Sequence, residues 1–330
     1  MIISQTPLRV SLAGGGTDLP AYCGRSEGRV LSTAIDKYIH VIVQERFDDQ
    51  IHVNYAKRKE TVESISDVQH PLAREAMRIA GMTGGFEVTT LADIPSEGSG
   101  LGSSSSLTVG YLNAFHAFMG RQVDAETLAR QACEIEIERL KKPIGRQDQY
   151  IAAYGGIRFL RFGRGGRVDV ETVAASTRTL RELENGLLLY FTGKTRSADG
   201  LLAEEGRRMK RNRKSMDAIG RLADDALKSL ERGDVDGVGR ALDRNWTLKR
   251  GLAGGVSDAD IDSFYASAKR WGALGGKVTG AGGGGFFVLY APEFKRAKLR
   301  AALREHRELP IALEPDGSKI IFNQKRRIWK

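Results

Sequence analysis

The chain has 330 residues, enough for a core without disulfide bridges and for two domains, because one hydrophobic core rarely grows past about 250–300 residues. Hydrophobic residues (41%) and charged residues (28%) are near globular averages and no apolar run approaches the ~20 residues of a membrane span, so we expect a cytoplasmic protein without a membrane partner. The formal net charge of +10 suits anionic partners, among them nucleic acids and small phosphates.

The first half of the chain alternates predicted strands and helices. Its strands are predicted near 7–13, 30–46, 51–55, 85–92 and 157–162, and its helices from the serine run at 103–106 to about 118 and over about 125–140. In the second half we predict strands at 187–192, 276–279, 285–290 and 318–323, a polar helical stretch over about 198–272 and a helix near 293–305. The two domains are predicted to cover 1–175 and 176–330.

A first glycine-rich segment follows the first predicted strand, in PLRVSLAGGGTDLP at 7–20. Strand alternation places Leu8 and Val10 on one face and Arg9 on the other, so an arginine is presented where the strand runs into three glycines. The alternative is a loose turn in which Asp18 is a cap or turn residue. This segment alone leaves both interpretations open.

A second glycine-rich segment, EGSGLGSSSSLTVG at 97–110, opens a predicted helix. Its glycines let the backbone approach a ligand, and its four serines stand at the helix N-terminus, where free N–H groups and the helix dipole favour an anion. The alternative is a helix with redundant serine caps, although one cap needs only one serine. We therefore predict a phosphate-binding loop with hydroxyl groups available to a metal ion.

A third glycine-rich segment, GGKVTGAGGGGFFVLY at 275–290, contains a GxGxxG pattern. A predicted strand follows it, whereas the dinucleotide-binding fingerprint must open a helix. The GKT at 193–195 lacks the upstream glycine of a Walker A motif. Cys23 and Cys133 show no metal-binding spacing and are expected to be reduced thiols. These observations exclude the commonest nucleotide-binding loops and a structural zinc site.

Two carboxylates are candidates for chemistry. On a helical wheel of the helix predicted over 125–140, Glu136 falls within the apolar arc, whereas Glu134 and Glu138 point the other way. A carboxylate on an apolar face is costly unless it is paired or binds a metal ion, so Glu136 is either a metal ligand or part of a buried salt bridge to an arginine. Asp148 lies in the loop GRQDQYIAAYGG, where an aspartate alone indicates little.

Together these parts suit phosphoryl transfer, which needs N–H groups around phosphates, hard oxygens for Mg²⁺, a cation to offset charge and a carboxylate to orient a hydroxyl. Their order resembles that of the GHMP kinase superfamily, in which PLRVSLAGGGTD, GSGLGSSSSL and KVTGAGGGG look like the first, second and third motifs. The resemblance implies an α+β fold with a mixed α/β N-terminal domain and a C-terminal domain of antiparallel sheet and helices. It also implies that ATP and a sugar bind in the cleft between them.

The resemblance assigns roles to individual positions. Asp148 and Arg9 match the catalytic aspartate and the catalytic basic residue, and Ser104 and Glu136 match the Mg²⁺ ligands. The implied ATP-binding positions are Gly98, Gly100, Leu101, Gly102, Ser103, Ser104 and Ser105. The implied sugar-binding positions are Asp18, Gly15, Gly16, Thr17, Gly282 and Gly283. Galactokinases carry Glu-His where this chain has the first two of those glycines, which leaves room here for a larger or differently oriented sugar.

Within the superfamily, TPLRVSLAGGGTDLP, GRQDQYIAAYGG and FTGKTRSA look most like D-glycero-D-manno-heptose 7-phosphate kinases and somewhat less like fucokinases. That implies phosphorylation of the anomeric hydroxyl of a sugar phosphate, whose own phosphate needs a basic pocket, for which we predict Arg196, Lys249 and Arg250. The alternatives are a kinase of an unphosphorylated sugar and a non-catalytic sugar sensor. Nucleic-acid binding is not expected, because the basic run at 207–214 is typical of a solvated helix face. Homo-oligomerisation stays open.

Overall fold

The computed structural model describes residues 1–56, 58–94, 98–195 and 198–324. Its strands, numbered β1 to β12 in chain order, are Ile2–Ala13, Gly28–Glu45, Ile51–Tyr55, Arg58–Val62, Phe86–Ala92, Ile157–Phe162, Val168–Thr172, Leu187–Phe191, Gly275–Val278, Phe286–Tyr290, Glu308–Leu309 and Lys319–Asn323. Its α-helices, numbered α1 to α11, are Pro20–Cys23, Pro71–Ala80, Ser103–Phe118, Ala125–Cys133, Gln147–Tyr154, Thr177–Gly186, Ala198–Arg207, Met209–Glu231, Val235–Lys249, Ala259–Arg270 and Glu293–Ala302. Short 3₁₀-helices lie at Ile65–Asp67 and Arg164–Gly166, and a π-helix follows α4 at Glu134–Arg139.

The first sheet is built around the long strand β2. Within the described residues its strand order is β12-β1-β2-β5-β3-β4, and β6 pairs with β2 and with β7. Strand β2 pairs with β1 along one edge and with β6 and β5 along the other. These pairs are antiparallel, whereas β3 and β5 are parallel. Because β2 joins three neighbours, it holds β1, the strand that carries Arg9, in a defined register.

Helix α3 is buried against this sheet, and its first turn lies beside β1. Its side chains from Ser105 to His116 are all buried, because it packs on β1 and β2 and also on α2 and α5. The N–H group of Arg9 donates to the carbonyl oxygen of Leu101 at 3.0 Å, which joins the strand to the segment before the helix. Both faces of β1 are covered, since Arg9 is buried as well as Leu8.

The second sheet lies in the C-terminal half and is antiparallel throughout, with the order β11-β8-β10-β9 among the described strands. Its core contains Trp246 of α9 and Phe287 of β10, whose ring centroids lie 5.5 Å apart. Helix α9 contacts β9 and β10 of this sheet and β1 of the first sheet. Helix α8 also contacts β1 and β2, so the two halves of the molecule meet along α8 and α9.

This mixed first half and antiparallel second half agree with the fold class that the sequence predicts. The division into 1–175 and 176–330 stays a prediction, and one strand crosses it, because β12 pairs with β1 in the first sheet. The sequence pattern indicates a strand at 318–323, but its partner lies at the other end of the chain and leaves no local signal. No helix among the described residues combines the length and apolarity that a bilayer crossing requires.

The predicted helix over 125–140 is divided in the structure. It ends as an α-helix at Cys133 and continues as the π-helix that carries Glu136. Strands β4 and β7 and helices α2 and α6 were not predicted, although Pro71 at the start of α2 and Ser176 at the N-cap of α6 are helix-start signals. Cys23 and Cys133 are free and buried, in agreement with the prediction of reduced thiols.

Candidate active site

A cavity of about 550 Å³ opens where the three glycine-rich segments meet. The first segment contributes Arg9 and Asp18 to its lining, and the other two contribute mainly glycines and serines. Glu136 and Asp148 are among the residues that line the same cavity. Side chains that are far apart in the chain therefore surround one space.

Arg9 and Asp148 form a bidentate ion pair at the cavity wall. Nε of Arg9 donates to Oδ1 of Asp148 and Nη2 donates to Oδ2, both at 2.7 Å. The third nitrogen of the guanidinium, Nη1, donates to the carbonyl oxygen of Gly100 at 2.6 Å. The Arg9 side chain is 5% exposed and that of Asp148 is 24% exposed, so a ligand reaches the carboxylate more readily than the guanidinium. Paired charge-assisted bonds of this kind fix the direction of the carboxylate.

Helix α3 begins at the cavity with N–H groups that no described side chain caps. Its N-cap residue, Gly102, has a left-handed backbone with φ of 78°. The serine hydroxyls are engaged elsewhere, since Ser104 and Ser105 donate to Glu136 and Ser106 donates to a carbonyl oxygen of β1. The redundant-cap interpretation therefore does not apply. The N–H groups of the first turn and the positive end of the helix dipole are available to bind an anion.

Glu136 is fully buried and accepts hydrogen bonds from four side chains. Its Oε1 accepts from Oγ of Ser104 at 2.7 Å and from Nζ of Lys142 at 3.1 Å. Its Oε2 accepts from Oγ of Ser105 and from Nε2 of Gln149, both at 2.7 Å. The burial predicted from the helical wheel is confirmed, and the ion-pair partner is a lysine rather than an arginine.

The second and third glycine-rich segments pack directly on each other. The N–H group of Phe286 donates to the carbonyl oxygen of Ser99 at 3.2 Å. A Cβ on Gly100, whose φ is 74°, would lie 2.6 Å from the carbonyl oxygen of Thr279. Both the left-handed backbone and the close approach require glycine at that position. The third segment runs into strand β10, as predicted, and it supports the loop in front of α3.

Asp18 is a further carboxylate of the cavity and is 3% exposed. Its Oδ1 accepts from the N–H group of Gly16 and from Nε2 of Gln147, both at 3.1 Å, and its Oδ2 accepts from the N–H group of Gln147 at 3.2 Å. Burial, and then the charge of Asp148, raise the pKa of Asp18. The two carboxylates are therefore close enough to interact through space.

Gly145 is a position where the Asp18 carboxylate leaves no room for a side chain. A Cβ there would lie 1.9 Å from Oδ2 of Asp18 and 2.3 Å from its Cγ. We expect Gly145→Ala to lower the free energy of unfolding by about 1–3 kcal/mol, because the carboxylate and its backbone must shift. Urea unfolding followed by circular dichroism measures this change. Gly254→Ala is the control, since nothing lies within 4 Å of a Cβ there, and equal midpoints for the two variants would contradict the steric argument.

Lys249 brings a buried positive charge to the cavity from the end of α9. It is 3% exposed, and its Nζ donates to the carbonyl oxygen of Gly280 at 2.6 Å. Burial lowers the pKa of Lys249, while the charges of Glu205 and Asp18 oppose that shift. Lys249 therefore interacts electrostatically with the carboxylates of Glu205 and Asp18.

Glu205 on α7 fills the space beside Gly16. It is 2% exposed, its Oε1 accepts no hydrogen bond from the described residues, and burial raises its pKa. A Cβ on Gly16, whose φ is 98°, would lie 2.4 Å from that oxygen. The room that the sequence analysis expected at Gly16 is therefore taken by a carboxylate from another element. This corrects the expectation of extra space for the ligand at that glycine.

Most of the predicted site residues line the cavity. They are Arg9, Gly16, Asp18, Gly98, Gly100, Gly102, Ser103, Ser104, Ser105, Glu136, Asp148, Lys249 and Gly282. Gly15, Thr17, Leu101 and Gly283 are not among the lining residues. Thr17, for example, is fully buried, and its hydroxyl donates to the carbonyl oxygens of Gly14 and Arg29.

Lys249 and Arg250, two of the three residues predicted for a second basic pocket, do not line the same cavity. Lys249 lines the cavity, whereas Arg250 is absent from its lining. Arg250 instead lies on the surface, with Nη1 3.8 Å from Oδ1 of Asp262 and a side chain that is 48% exposed. Arg196 lies outside the described residues.

Sequence reasoning missed four polar residues around the site, namely Lys142, Gln147, Gln149 and Glu205. The two glutamines flank Asp148, so the segment GRQDQ carried a signal, because side-chain amides beside a candidate carboxylate can donate to other carboxylates. Lys142 contacts Glu136 only because the π-helix lies between the two positions. Glu205 lies in a stretch whose sequence is typical of a polar, solvent-facing helix. Neither of these two positions has a local signature.

Ser104 and Glu136 are the pair of side chains best placed to share a cation. Oγ of Ser104 and Oε1 of Glu136 are hard oxygens, and both bind Nζ of Lys142, at 2.7 and 3.1 Å. Among the described residues, no group of three or more His, Cys, Asp or Glu side chains is placed to hold a metal ion. A metal ion at this pair would therefore need further ligands, which Mg²⁺ usually takes from phosphates and water.

Comparison with known proteins decides the family. The GHMP kinases N terminal domain matches residues 64–156, and the GHMP kinases C terminal domain matches residues 226–309. The chain is also 34% identical over 319 residues to the D-glycero-alpha-D-manno-heptose 7-phosphate kinase of Campylobacter jejuni, covering 92% of this chain and 93% of that protein. The chain belongs to the GHMP kinase family.

Other relatives of this GHMP kinase support the same family assignment. It is 28% identical over 335 residues to the bifunctional fucokinase/GDP-fucose pyrophosphorylase of Arabidopsis thaliana, which covers 93% of this chain and 31% of that protein. The crystal structure of a D-glycero-D-manno-heptose 1-phosphate kinase from Bacteroides thetaiotaomicron has a TM-score of 0.81 and 27% identity, covering 98% of this chain and 100% of that one. The predicted superfamily and fold are thereby confirmed. The protein is an ATP-dependent kinase that acts on a sugar hydroxyl.

Proposed function

We propose that this GHMP kinase transfers the γ-phosphoryl group of ATP to the anomeric hydroxyl of D-glycero-D-manno-heptose 7-phosphate. The product would be the 1,7-bisphosphate, a precursor of nucleotide-activated heptose. The observation that carries the proposal is the Arg9–Asp148 pair, whose carboxylate opens onto the cavity shared by the start of α3 and by Asp18. The Campylobacter jejuni relative supports the choice of sugar.

Asp148 would orient the attacking hydroxyl and accept its proton. Its two bonds to Arg9 hold the carboxylate in one direction, and its partial exposure leaves it accessible to the sugar. Phosphoryl transfer passes through a loose transition state, so positioning matters more than the basicity of the carboxylate. Arg9 would also offset negative charge on the phosphoryl group, because a fixed guanidinium in a shielded site interacts strongly with nearby charge.

The start of α3 would hold the phosphates of ATP. N–H groups of its first turn have no described side-chain cap, and the left-handed glycines at 98, 100 and 102 present no Cβ atom at those positions. The helix dipole adds to the attraction for anions at this end. The residues that would contribute are Gly98, Gly100, Gly102, Ser103, Ser104 and Ser105, with Leu101 fixing the loop through its bond to Arg9.

Ser104 and Glu136 would hold Mg²⁺ beside those phosphates. The fit is supported by Lys142, whose ammonium already contacts both of these oxygens. When bound there, Mg²⁺ would neutralise phosphate charge and help to align the reacting groups. Ser105 and Gln149 would keep the carboxylate of Glu136 in place, since both donate to its other oxygen.

Asp18 and Lys249 would bind the sugar. Asp18 accepts hydrogen bonds on both oxygens and would accept further ones from sugar hydroxyls. The basic side chains among the described lining residues are Arg9, Lys142 and Lys249, and the first two are paired with carboxylates. Lys249 is therefore the cation proposed for the 7-phosphate.

An unphosphorylated sugar such as fucose is the second candidate, and the buried carboxylates favour it. Asp18 and Glu205 both interact with Lys249, so a phosphate there would add negative charge next to two carboxylates. Sugar hydroxyls would instead donate to the carboxylate of Asp18, which lines the cavity, without adding charge. The two candidates differ in one measurable property, which is whether the enzyme prefers the phosphorylated or the free sugar.

A coupled assay of ADP release with ATP and Mg²⁺ separates them. We expect kcat/KM for the heptose 7-phosphate to exceed that for free heptose and for fucose by about tenfold or more, because a charge-assisted contact to phosphate contributes about 1.5–3 kcal/mol. Phosphorus NMR of the product should show a phosphate on the anomeric carbon. A higher kcat/KM for a free sugar would overturn the proposed substrate.

A variant of Lys249 tests the proposed phosphate contact within the same assay. Lys249→Met should remove most of the preference for the phosphorylated sugar, because its ammonium is the proposed partner of that phosphate. Lys298→Met, at an exposed position of α11, should keep the preference. Equal preferences in the two variants would place the sugar phosphate elsewhere.

A further inference from the structure

Given the metal ligands proposed above, we infer that Lys142 is the resident cation of the nucleotide-free site. Its ammonium contacts Oγ of Ser104 and Oε1 of Glu136, the two oxygens proposed to bind the divalent metal ion, so lysine and metal would exchange there. Lys142 would thereby oppose the binding of free metal ions in the absence of nucleotide.

The charge balance around Glu136 is the first reason. The carboxylate is fully buried, and an unpaired charge in that position is expensive. Among the described residues, Lys142 is the basic side chain in ion-pair contact with it. The three other donors, Ser104, Ser105 and Gln149, are neutral. Without a metal ion, the carboxylate therefore depends on Lys142 for its counter-charge.

The competition for the same atoms is the second reason. Nζ of Lys142 lies 2.7 Å from Oγ of Ser104 and 3.1 Å from Oε1 of Glu136. A divalent cation would use lone pairs of these same two oxygens. Two cations cannot share that position, because they repel each other and need the same space. Binding of the metal therefore requires the ammonium to leave.

The backbone that places Lys142 is the third reason. The π-helix ends with the N–H group of Leu140 donating to the carbonyl oxygen of Ile135, and the N–H group of Lys142 then donates to the carbonyl oxygen of Glu136, both at 2.9 Å. Between them, Lys141 has a left-handed backbone with φ of 55°, which is uncommon for a residue other than glycine. π-Helical turns and such conformations are frequent at functional sites. The loop thus turns Lys142 back onto Glu136.

Lys142 is also placed so that it can move. Its side chain is 23% exposed and lines the cavity, whereas Glu136, Ser105 and Gln149 are buried. An ammonium that leaves the two oxygens can therefore reach water or phosphate in the cavity without a rearrangement of the core. Weak binding of free metal and strong binding of metal with ATP follow from this arrangement.

Binding of Mn²⁺ to the nucleotide-free protein tests the exchange. Electron paramagnetic resonance of the unbound ion measures the affinity without any catalytic turnover. We expect Lys142→Met to bind Mn²⁺ about tenfold or more tightly than the unmodified protein, because charge-assisted hydrogen bonds to the ammonium no longer have to be broken. An affinity equal to or weaker than that of the unmodified protein would overturn the inference.

Lys141→Met is the matched control, since it removes the same charge from the neighbouring, exposed lysine. We expect its Mn²⁺ affinity to stay unchanged. Equal tightening in both variants would show a general effect of net charge and would also overturn the exchange. If circular dichroism shows that Lys142→Met does not fold, Lys142→Gln carries the same expectation, because it keeps a donor for Glu136 but has no charge.

Ser104→Ala separates failure of the exchange from failure of the proposed metal site. In the presence of ATP, this variant should weaken Mn²⁺ binding if the metal uses Ser104. If it leaves that binding unchanged, the metal site itself is wrongly assigned. If it weakens the binding but Lys142→Met binds free Mn²⁺ no more tightly, the metal site stands and only the exchange is wrong.

Discussion

Asp148→Asn is expected to lower kcat by about 10²–10⁴-fold, the usual contribution of a positioned general base. The amide cannot take up a proton from the sugar hydroxyl. It also loses one of the two bonds from Arg9, because its NH₂ group would face a guanidinium nitrogen. The coupled assay of ADP release measures kcat at saturating ATP and sugar.

Asp169→Asn is the matched control for that variant. Asp169 also pairs with an arginine, since Nε and Nη2 of Arg167 lie 3.1 and 2.9 Å from its two oxygens, but both side chains are more than half exposed on or beside β7. Exposed pairs contribute little, so kcat should equal that of the unmodified protein. Near-full turnover of Asp148→Asn on every sugar tested would refute the catalytic assignment.

Glu136→Ala is expected to lower the free energy of unfolding by about 3 kcal/mol. The truncation leaves the buried Ser105 hydroxyl and Gln149 amide without their acceptor, and each unsatisfied group costs about 1–3 kcal/mol. Lys142 limits the loss, because it is partly exposed and its ammonium can turn to water. Urea unfolding followed by circular dichroism measures the change.

Glu138→Ala is the control, because Glu138 belongs to the same π-helix but is exposed. Its free energy of unfolding should stay within about 0.5 kcal/mol of that of the unmodified protein, as for most surface substitutions. Equal losses in the two variants would mean that the hydrogen bonds of Glu136 do not stabilise the fold. The proposed metal ligand would then lack the structural role that the burial indicates.

The parts of the site that rest on local physics could be predicted from the sequence. A serine-led helix after glycines has free N–H groups wherever it lies, so its anion-binding end follows from 98–106 alone. Alternation along the first strand separates Arg9 from the apolar face. Periodicity places Glu136 among apolar residues, and the structure buries it completely. The order of these segments was enough to predict the family that the comparisons confirm.

The contacts between those parts were decided only by the tertiary structure. The sequence does not reveal that Gln147 donates to Asp18, that Glu205 lies against Gly16, or that β12 pairs with β1. These contacts join segments far apart in the chain, and the local sequence around one partner does not indicate which residue the other partner is. Lys142 is close to Glu136 in sequence, but a π-helix and a left-handed residue, which propensity does not predict, bring them together.

The sequence by itself therefore determined which chemical groups this kinase has and on which kind of element each one lies. Hydrogen-bonding capacity, charge and periodicity are properties of residues and short segments, so they can be recognised without a fold. The tertiary structure alone decided which charge neutralises which, since Arg9 pairs with Asp148 and Lys142 with Glu136. Those pairings depend on distances and burial, which exist only once the chain has packed.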